Sequence, residues 1–134
     1  MSKLRNGTCY RHLKIPYTRT SKRKSKAFIV GIPGSKIVRF VLGEKSKKFD
    51  SQVVLISEKD INLRHNCLES ARIASVRFIE LKAGKNNFRL VIHPFPHHIM
   101  RENPIAAGAG ADRFQKGMTH AFGKPYGRAA RVKT

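Results

Sequence analysis

Acidic residues are scarce in this sequence. It contains 8 Asp and Glu against 28 Lys and Arg in 134 residues, which gives a formal net charge of +20. Few folded domains of this size carry such an imbalance without a polyanion, because self-repulsion destabilises the compact state. The composition therefore disfavours an independent metabolic enzyme and favours a protein that lies against nucleic acid.

Cysteines are few, and long apolar runs are absent. Cys9 and Cys67 are too few and too far apart for a disulfide framework or a zinc knuckle. We therefore infer a reducing compartment and expect Cys67 to be a small core residue. No apolar run reaches the ~20 residues of a transmembrane helix, and the N-terminus lacks the apolar region of a secretory signal. We expect no membrane partner.

The excess charge is concentrated at the two ends of the chain. Residues 1–26 contain nine basic side chains and no acidic one, residues 27–102 contain thirteen basic and seven acidic, and residues 103–134 contain six basic and one acidic. We therefore divide the chain into a basic extension over 1–26 and a single domain over 27–134. Such a basic run is typical of phosphate binding or of a solvated, disordered tail. Tyr10 and Tyr17 can stack on bases, which favours nucleic-acid binding.

Periodicity and turn residues predict an α+β domain. Runs of β-prone residues predict strands over 27–30, 37–42, 52–56, 88–93 and 129–133, with turns at 31–34 and 86–87. A long helix is predicted over 63–82, with Asp60 or Asn62 as its N-cap and Gly84 at its end. A weaker helix is predicted over 112–121. Apolar residues at spacings of 4, 3, 4 and 3 predict the core face of the long helix: Cys67, Ala71, Ala74, Phe78 and Leu81.

Residues 103–111 are small and almost chargeless, and they lie between Arg101 and Arg113. Small residues let a backbone approach a large ligand closely, so we expect a flexible loop over 101–113. A disordered linker is the alternative. Gly108 and Gly110 lack both the third glycine of a dinucleotide-binding motif and the Gly-Lys-Ser/Thr ending of a P-loop.

No constellation of catalytic or metal-binding residues stands out, and we expect no cofactor. His93, His97 and His98 cluster without a fourth ligand at a zinc-like spacing, so we interpret them as surface imidazoles. Glu102, His98 and Asp112 leave open the alternative of a small RNA-modifying or RNA-cleaving enzyme.

Several ordered stretches together point to one family. They are Cys-Tyr-Arg at 9–11, Gly-Ile-Pro-Gly-Ser-Lys-Ile at 31–37, Arg-His-Asn at 64–66, Leu-Glu-Ser-Ala-Arg at 68–72, His-Pro at 93–94, Arg-Glu-Asn at 101–103, Ala-Gly-Ala-Asp-Arg at 109–113, Gly-Lys-Pro at 123–125 and Ala-Arg-Val at 130–132. With them the chain resembles the large-ribosomal-subunit proteins called L-sixteen in bacteria and L-ten-e in archaea and eukaryotes. The matching stretches are more similar to the archaeal and eukaryotic branch than to the bacterial one.

The resemblance implies a fold, a location and a set of partners. The implied fold is a compact α/β sandwich with a mixed, mainly antiparallel sheet packed by one long and one shorter helix. The implied location is the cytoplasmic ribosome, in the cleft between the peptidyl transferase region and the central protuberance. Large-subunit rRNA, the tRNA acceptor arm, and also 5S rRNA and neighbouring ribosomal proteins are the implied partners. The family is not enzymatic. A basic chaperone or assembly factor is the alternative of another class.

The resemblance and the charge pattern together select two groups of site residues. The first is predicted to contact rRNA: Lys3, Arg5, Tyr10, Arg11, Lys14, Tyr17, Arg19, Lys22, Arg23, Lys24, Lys26, Lys36, Lys124, Arg128 and Arg131. The second is a predicted tRNA-proximal loop: Arg101, Asn103, Ile105, Gly108, Gly110 and Arg113. Members of this branch continue with a further strand and a closing helix. This chain stops at Thr134, so either a lineage lost that part or the sequence ends early.

Overall fold

The fold consists of two helices and five strands among the residues that the structure describes. The computed structural model describes residues 7–13, 15–18, 23, 25, 29–102 and 123–134. In chain order the elements are α1 (Thr8–Arg11), β1 (Val41–Gly43), β2 (Ile61–Arg64), α2 (His65–Ala83), β3 (Arg89–Val91), β4 (His98–Glu102) and β5 (Lys124–Val132). The predicted α+β class is confirmed. The helix predicted over 112–121 lies outside the described residues.

Three strands form one antiparallel sheet in the order β2-β5-β4. The predicted strand over 129–133 is confirmed as part of β5, which begins earlier, at Lys124. Small residues dominate its buried positions, and Ala130, 1% exposed, packs with Ile37 and Leu68 in the core. The central strand therefore lets the long helix pack close to the sheet.

The other two strands, β1 and β3, form a separate antiparallel pair. Both are shorter than the predicted strands over 37–42 and 88–93, and Ile37 is buried in the core outside the pair. Gly43 has φ +81, and a Cβ there would collide with the carbonyl oxygen of Phe88. The predicted alternation around β3 is confirmed, since Phe88 is buried and Arg89 is exposed.

Helix α2 agrees with the prediction in extent. It covers His65–Ala83 and ends at Gly84, which has φ +82 and donates its N–H to the Glu80 carbonyl at 3.0 Å. The predicted caps are wrong. The N-cap is Arg64, which makes no side-chain capping bond. Asp60 instead accepts bonds from Thr134, and Asn62 donates to the Cys9 carbonyl.

The predicted core face of α2 is wrong as well. Phe78 is 65% and Leu81 84% exposed, and Cys67 is exposed too, whereas the buried residues of the helix are His65 and Leu68. The reason is the junction: β2 runs into α2 without a linker, so the first turn is fixed against β5. The regular apolar stripe then lies on the other side of the helix.

Two further predicted strands are corrected. Residues 52–56 form no strand, and Val53 and Leu55 are 97% and 99% exposed, because no described strand pairs with them. Ile29 and Val30 also lie outside any strand, and residues 27–28 lie outside the described residues.

Strand β4 was not predicted, because the two prolines before it and the expected loop after it hid a five-residue strand. Its last two residues, Arg101 and Glu102, were assigned to the loop over 101–113 and are strand residues instead. The rest of that predicted loop lies outside the described residues.

Within the described part of the chain, no helix is both long and apolar enough to cross a membrane.

Candidate nucleic-acid interface

The described residues of 7–18, which we call the N-terminal strap, contact the three-stranded sheet. Helix α1 packs on β2, where the Asn62 side-chain amide donates to the Cys9 carbonyl at 3.1 Å. Arg64, 2% exposed, places one guanidinium nitrogen 3.4 Å from the Tyr10 hydroxyl. Its Cζ also lies 5.8 Å from the centroid of the Tyr126 ring. A buried cation between two aromatic side chains therefore holds the first turn of the strap.

The second attachment of the strap is centred on Tyr17. Its backbone N–H donates to Nδ1 of His98 at 2.9 Å, and its carbonyl accepts the Ile99 N–H at 3.1 Å. The guanidinium of Arg101 lies over the Tyr17 ring, with 3.9 Å between its Cζ and the ring centroid. The strap thus contacts both outer strands of the sheet, β2 through α1 and β4 through Tyr17.

A first cationic cluster surrounds His65. The Lys36 backbone N–H donates to His65 Nδ1 at 2.9 Å, so this imidazole nitrogen is an acceptor and carries no proton. Burial lowers the pKa of His65, and the positive charges of Arg64, Lys36 and Arg128 lower it further. Arg128 is fixed nearby by a 2.7 Å bond from its Nε to the Pro33 carbonyl. The cluster holds three cations from three separate stretches of the chain around one neutral imidazole.

A second cationic cluster surrounds His98. Burial lowers the pKa of His98 to about 4, with smaller contributions from the positive charges of Arg131, His97 and Arg101. The imidazole is therefore neutral at physiological pH and accepts the Tyr17 N–H. As at His65, every charge that shifts this pKa is a cation. Side chains of one sign brought together in this way favour a polyanion as the missing counter-charge.

The structure places the predicted site residues in three groups. Lys36 and Arg128 meet at His65, and Arg131 and Arg101 meet at His98, which joins residues predicted separately as rRNA contacts and as loop. Tyr10, Arg11, Tyr17, Arg23 and Lys124 form the third group: Tyr17 lies against Arg101, and Arg11, Arg23 and Lys124 are exposed. The remaining predicted site residues lie outside the described part: Lys3, Arg5, Lys14, Arg19, Lys22, Lys24, Lys26, Asn103, Ile105, Gly108, Gly110 and Arg113.

Sequence reasoning missed the residues that organise these clusters. Arg64 and His65 carried a signal, since they begin the Arg-His-Asn stretch at 64–66, yet nothing in their spacing shows that both are buried. His98 was interpreted as a surface imidazole and is instead half-buried, while His93 and His97 are exposed. A histidine that accepts a backbone N–H from a distant segment is recognisable only in three dimensions.

Metal and acid–base chemistry find little support in the described residues. None of their His, Cys, Asp and Glu side chains form a group of three that could hold a metal ion. His98 was a candidate for acid–base catalysis, but its Nδ1 is occupied by the Tyr17 N–H and its pKa is about 4. Proton transfer near neutral pH requires a pKa nearer to that pH.

Comparison with known proteins adds an independent finding. Residues 16–134 match the model of the family described as Ribosomal protein L16p/L10e. The large ribosomal subunit protein uL16 of Archaeoglobus fulgidus is 44% identical over 124 residues, which cover 92% of this chain and 68% of that protein. The proteins of the same name from Sulfolobus acidocaldarius and Methanococcus maripaludis are each 44% identical, over 97% of this chain and 72% of theirs. The chain therefore belongs to the Ribosomal protein L16p/L10e family, a family of structural ribosomal proteins and not of enzymes.

Proposed function

We propose that this chain, a structural protein of the large ribosomal subunit, binds the rRNA of that subunit through the two cationic clusters. The observation that supports this most is that cations from separate stretches of the chain act on two neutral histidines: Lys36 and Arg128 on His65, and Arg101 and Arg131 on His98. A folded domain needs no such gathering of like charges for its own stability. Phosphates of a folded RNA offset it.

Affinity for rRNA arises mainly from neutralised phosphates and the counterions they release. Lys and Arg from β5, from the segment before β1 and from the N-terminal strap supply these contacts. Specificity arises from the shape of the RNA, with 2′-hydroxyl contacts and stacking by Tyr10. Backbone bonds to His65 and His98 fix the segments that carry Lys36 and Tyr17 against the sheet.

The finer part of the proposal concerns position within the subunit. The chain lies in the cleft between the peptidyl transferase region and the central protuberance, near 5S rRNA and neighbouring ribosomal proteins. Residues 103–113, which follow β4, reach toward the acceptor arm of tRNA and help to position it. This part is supported by the family resemblance and by the small, almost chargeless sequence that begins where β4 ends.

A double variant with a matched control tests rRNA binding. Lys36→Ala with Arg131→Ala removes one exposed or half-exposed cation from each cluster, and neither side chain makes a bond that holds the fold in the described structure. Arg77→Ala with Lys82→Ala removes the same two charges from α2. With refolded large-subunit rRNA as the probe, the cluster variant is expected to bind about tenfold or more weakly. It should also lower the slope of log affinity against log salt by about 1.5.

The control variant is expected to keep most of its affinity and its salt slope. Equal losses from both pairs would show that binding depends on net charge alone, and the proposed clusters would be refuted. Circular dichroism and melting temperature show whether each variant folds as the parent chain does.

A deletion tests the proposed tRNA role. Removing residues 105–110 from the full chain should leave affinity for rRNA unchanged and weaken tRNA binding to reconstituted subunits. Loss of rRNA binding on this deletion would contradict the assignment of the segment to tRNA.

A further inference from the structure

The pairing of β4 with β5 is irregular immediately before Arg101. Its pairing with β5 runs Met100 opposite Gly127 and then Arg101 opposite Pro125, so one residue of β5, Tyr126, is skipped. Two consecutive residues of β4, Ile99 and Met100, are 2% and 7% exposed, whereas Arg101 is exposed. Tyr126 is the extra residue of a β-bulge in β5, and such a bulge bends the strand that carries it. Arg101 pairs directly after this bulge, at the exposed end of β4.

The exposed cation does not extend freely into solvent. Its Cζ lies 3.9 Å from the centroid of the Tyr17 ring, a distance at which a planar guanidinium packs on the face of the ring. Stacking leaves the N–H donors at the guanidinium edges available for a phosphate.

The backbone of Tyr17 is bound to β4 by two hydrogen bonds. Its N–H donates to His98 and its carbonyl accepts from Ile99, two consecutive residues of the strand that carries Arg101. The ring is therefore fixed relative to β4 at the point from which Arg101 projects. The ring contact and the backbone bonds therefore act together on one arginine.

We propose that Tyr17 is a positioning residue that holds the Arg101 guanidinium in place for a phosphate of RNA. This inference rests on the proposed function and deepens it. Its physical basis is entropic, since an arginine side chain loses rotamer freedom when it binds and a prepositioned one loses less. The proposal also gives the N-terminal strap a role that does not depend on its own charge. The Tyr17 ring orders Arg101, a cation of β4 that lies just before residues 103–113 in the sequence.

A double-mutant cycle in the full chain separates this role from direct stacking of Tyr17 on a base. The variants are Tyr17→Leu, Arg101→Ala and the combination, with refolded large-subunit rRNA as the probe. Tyr17→Leu is expected to weaken binding about two- to tenfold, the range that ordering one flexible side chain covers. In the Arg101→Ala background the same change should have no further effect. Additive losses would overturn the proposal, because Tyr17 would then contact the RNA itself.

The salt dependence gives a readout that a merely structural role would not move. Arg101→Ala should lower the slope of log affinity against log salt by about 0.7 to 0.9, the value for one phosphate. Tyr17→Leu removes no charge, yet it should lower the slope in the same direction, because the unheld guanidinium engages its phosphate less often. An unchanged slope for Tyr17→Leu, measured with the RNA for which Arg101→Ala lowers the slope, would overturn the proposal. Tyr17→Phe keeps the ring face and should restore affinity and slope; a loss as large as that of Tyr17→Leu would overturn it too.

Two comparisons complete the test. If Arg101→Ala leaves rRNA affinity and tRNA binding unchanged while Lys36→Ala with Arg131→Ala lowers rRNA affinity, the positioning role fails and the proposed function stands. If none of these variants lowers affinity, the positioning role and the proposed function both fail.

The phosphate that Arg101 binds can belong to rRNA or to tRNA. Loss of affinity for isolated rRNA identifies the first source, and loss confined to tRNA binding by reconstituted subunits identifies the second; either result supports the role.

Discussion

The three-stranded sheet and the β1–β3 pair with its neighbouring segments differ in how far their apolar residues are buried. In the first region, buried residues such as Ile99 and Ala129 fill the sheet, and the strap contacts both outer strands. Near the second, residues 53–56 are largely exposed although all four are apolar. The predicted cations gather on the first region. The contrast teaches that the predicted cations around His65 and His98 lie on the part of the chain that its own contacts hold in place.

The largest expected effect comes from breaking the packing of the first region. Ile99→Ala removes a side chain that is 2% exposed at the centre of β4, and the loss of burial together with the cavity should cost about 2–5 kcal/mol. Leu55→Ala is the matched control, because Leu55 is 99% exposed, and its effect should stay within about 0.5 kcal/mol. Denaturant unfolding measures both. Similar losses for the two variants would abolish the contrast between the regions.

Gly43→Ala tests the second region at its tightest point. The residue has φ +81, and a Cβ would meet the Phe88 carbonyl oxygen, so we expect a loss of about 2 kcal/mol from backbone strain alone. Gly34→Ala is the control, since nothing lies within 4 Å of its Cβ position and its φ is not in the left-handed region. If Gly43→Ala were as stable as Gly34→Ala, the β1–β3 pair would have to separate without cost.

The first region should also respond to pH. The pKa of His98 is about 4 in the folded chain, against an ordinary value of 6.5, so the unfolded chain binds more protons between these values. Stability should therefore be complete above pH 6.5 and fall as the pH drops toward 4. Glu44 and Asp60, whose pKa values are lowered by hydrogen bonds to Ser46 and to Thr134, add their losses only at lower pH, near and below their ordinary values of 4.5 and 3.8.

His98→Asn sharpens that measurement. An asparagine keeps an acceptor close to the position of Nδ1 and does not titrate, so the drop in melting temperature from pH 7 to pH 5 should become smaller. His65, whose pKa is also lowered, accounts for what is left. A drop of the same size in the variant would show that His98 contributes nothing to it.

The smallest expected effect lies on α2. Leu81→Ser and Phe78→Ser alter side chains that are 84% and 65% exposed, so each should change stability by no more than about 0.5 kcal/mol. Leu68→Ser, on the buried side of the same helix, should be far more damaging. A large loss of stability in Leu81→Ser would show that the apolar stripe is the packing face of α2.

These tests also mark how far the sequence could predict the fold. The length of α2 followed from its uninterrupted helix-forming run and Gly84, and the alternation around β3 followed from its period of two, because both signals are local. The face of α2 could not be read in the same way. Its orientation is set by the direct junction with β2 and by packing on Ala130, which are contacts between distant residues.

The candidate site was likewise predictable from the sequence only in part. Lys36, Arg101, Arg128 and Arg131 were identified from charge and from family resemblance, but their grouping was not. The grouping depends on two imidazoles that accept backbone N–H groups from residues 29 and 81 positions away. Short-range patterns carry no information about such pairs, whose members are far apart in the chain.

The strap has one more consequence, for the chain before it meets any RNA. An unpaired outer strand is a template for another polypeptide, and it invites association edge to edge. In the outer strand β4, the Ile99 N–H donates to the Tyr17 carbonyl. Helix α1 packs on β2, the other outer strand. A newly made copy thus blocks its own sheet at both margins with a single short segment, which guards it against self-association until it is built into a particle.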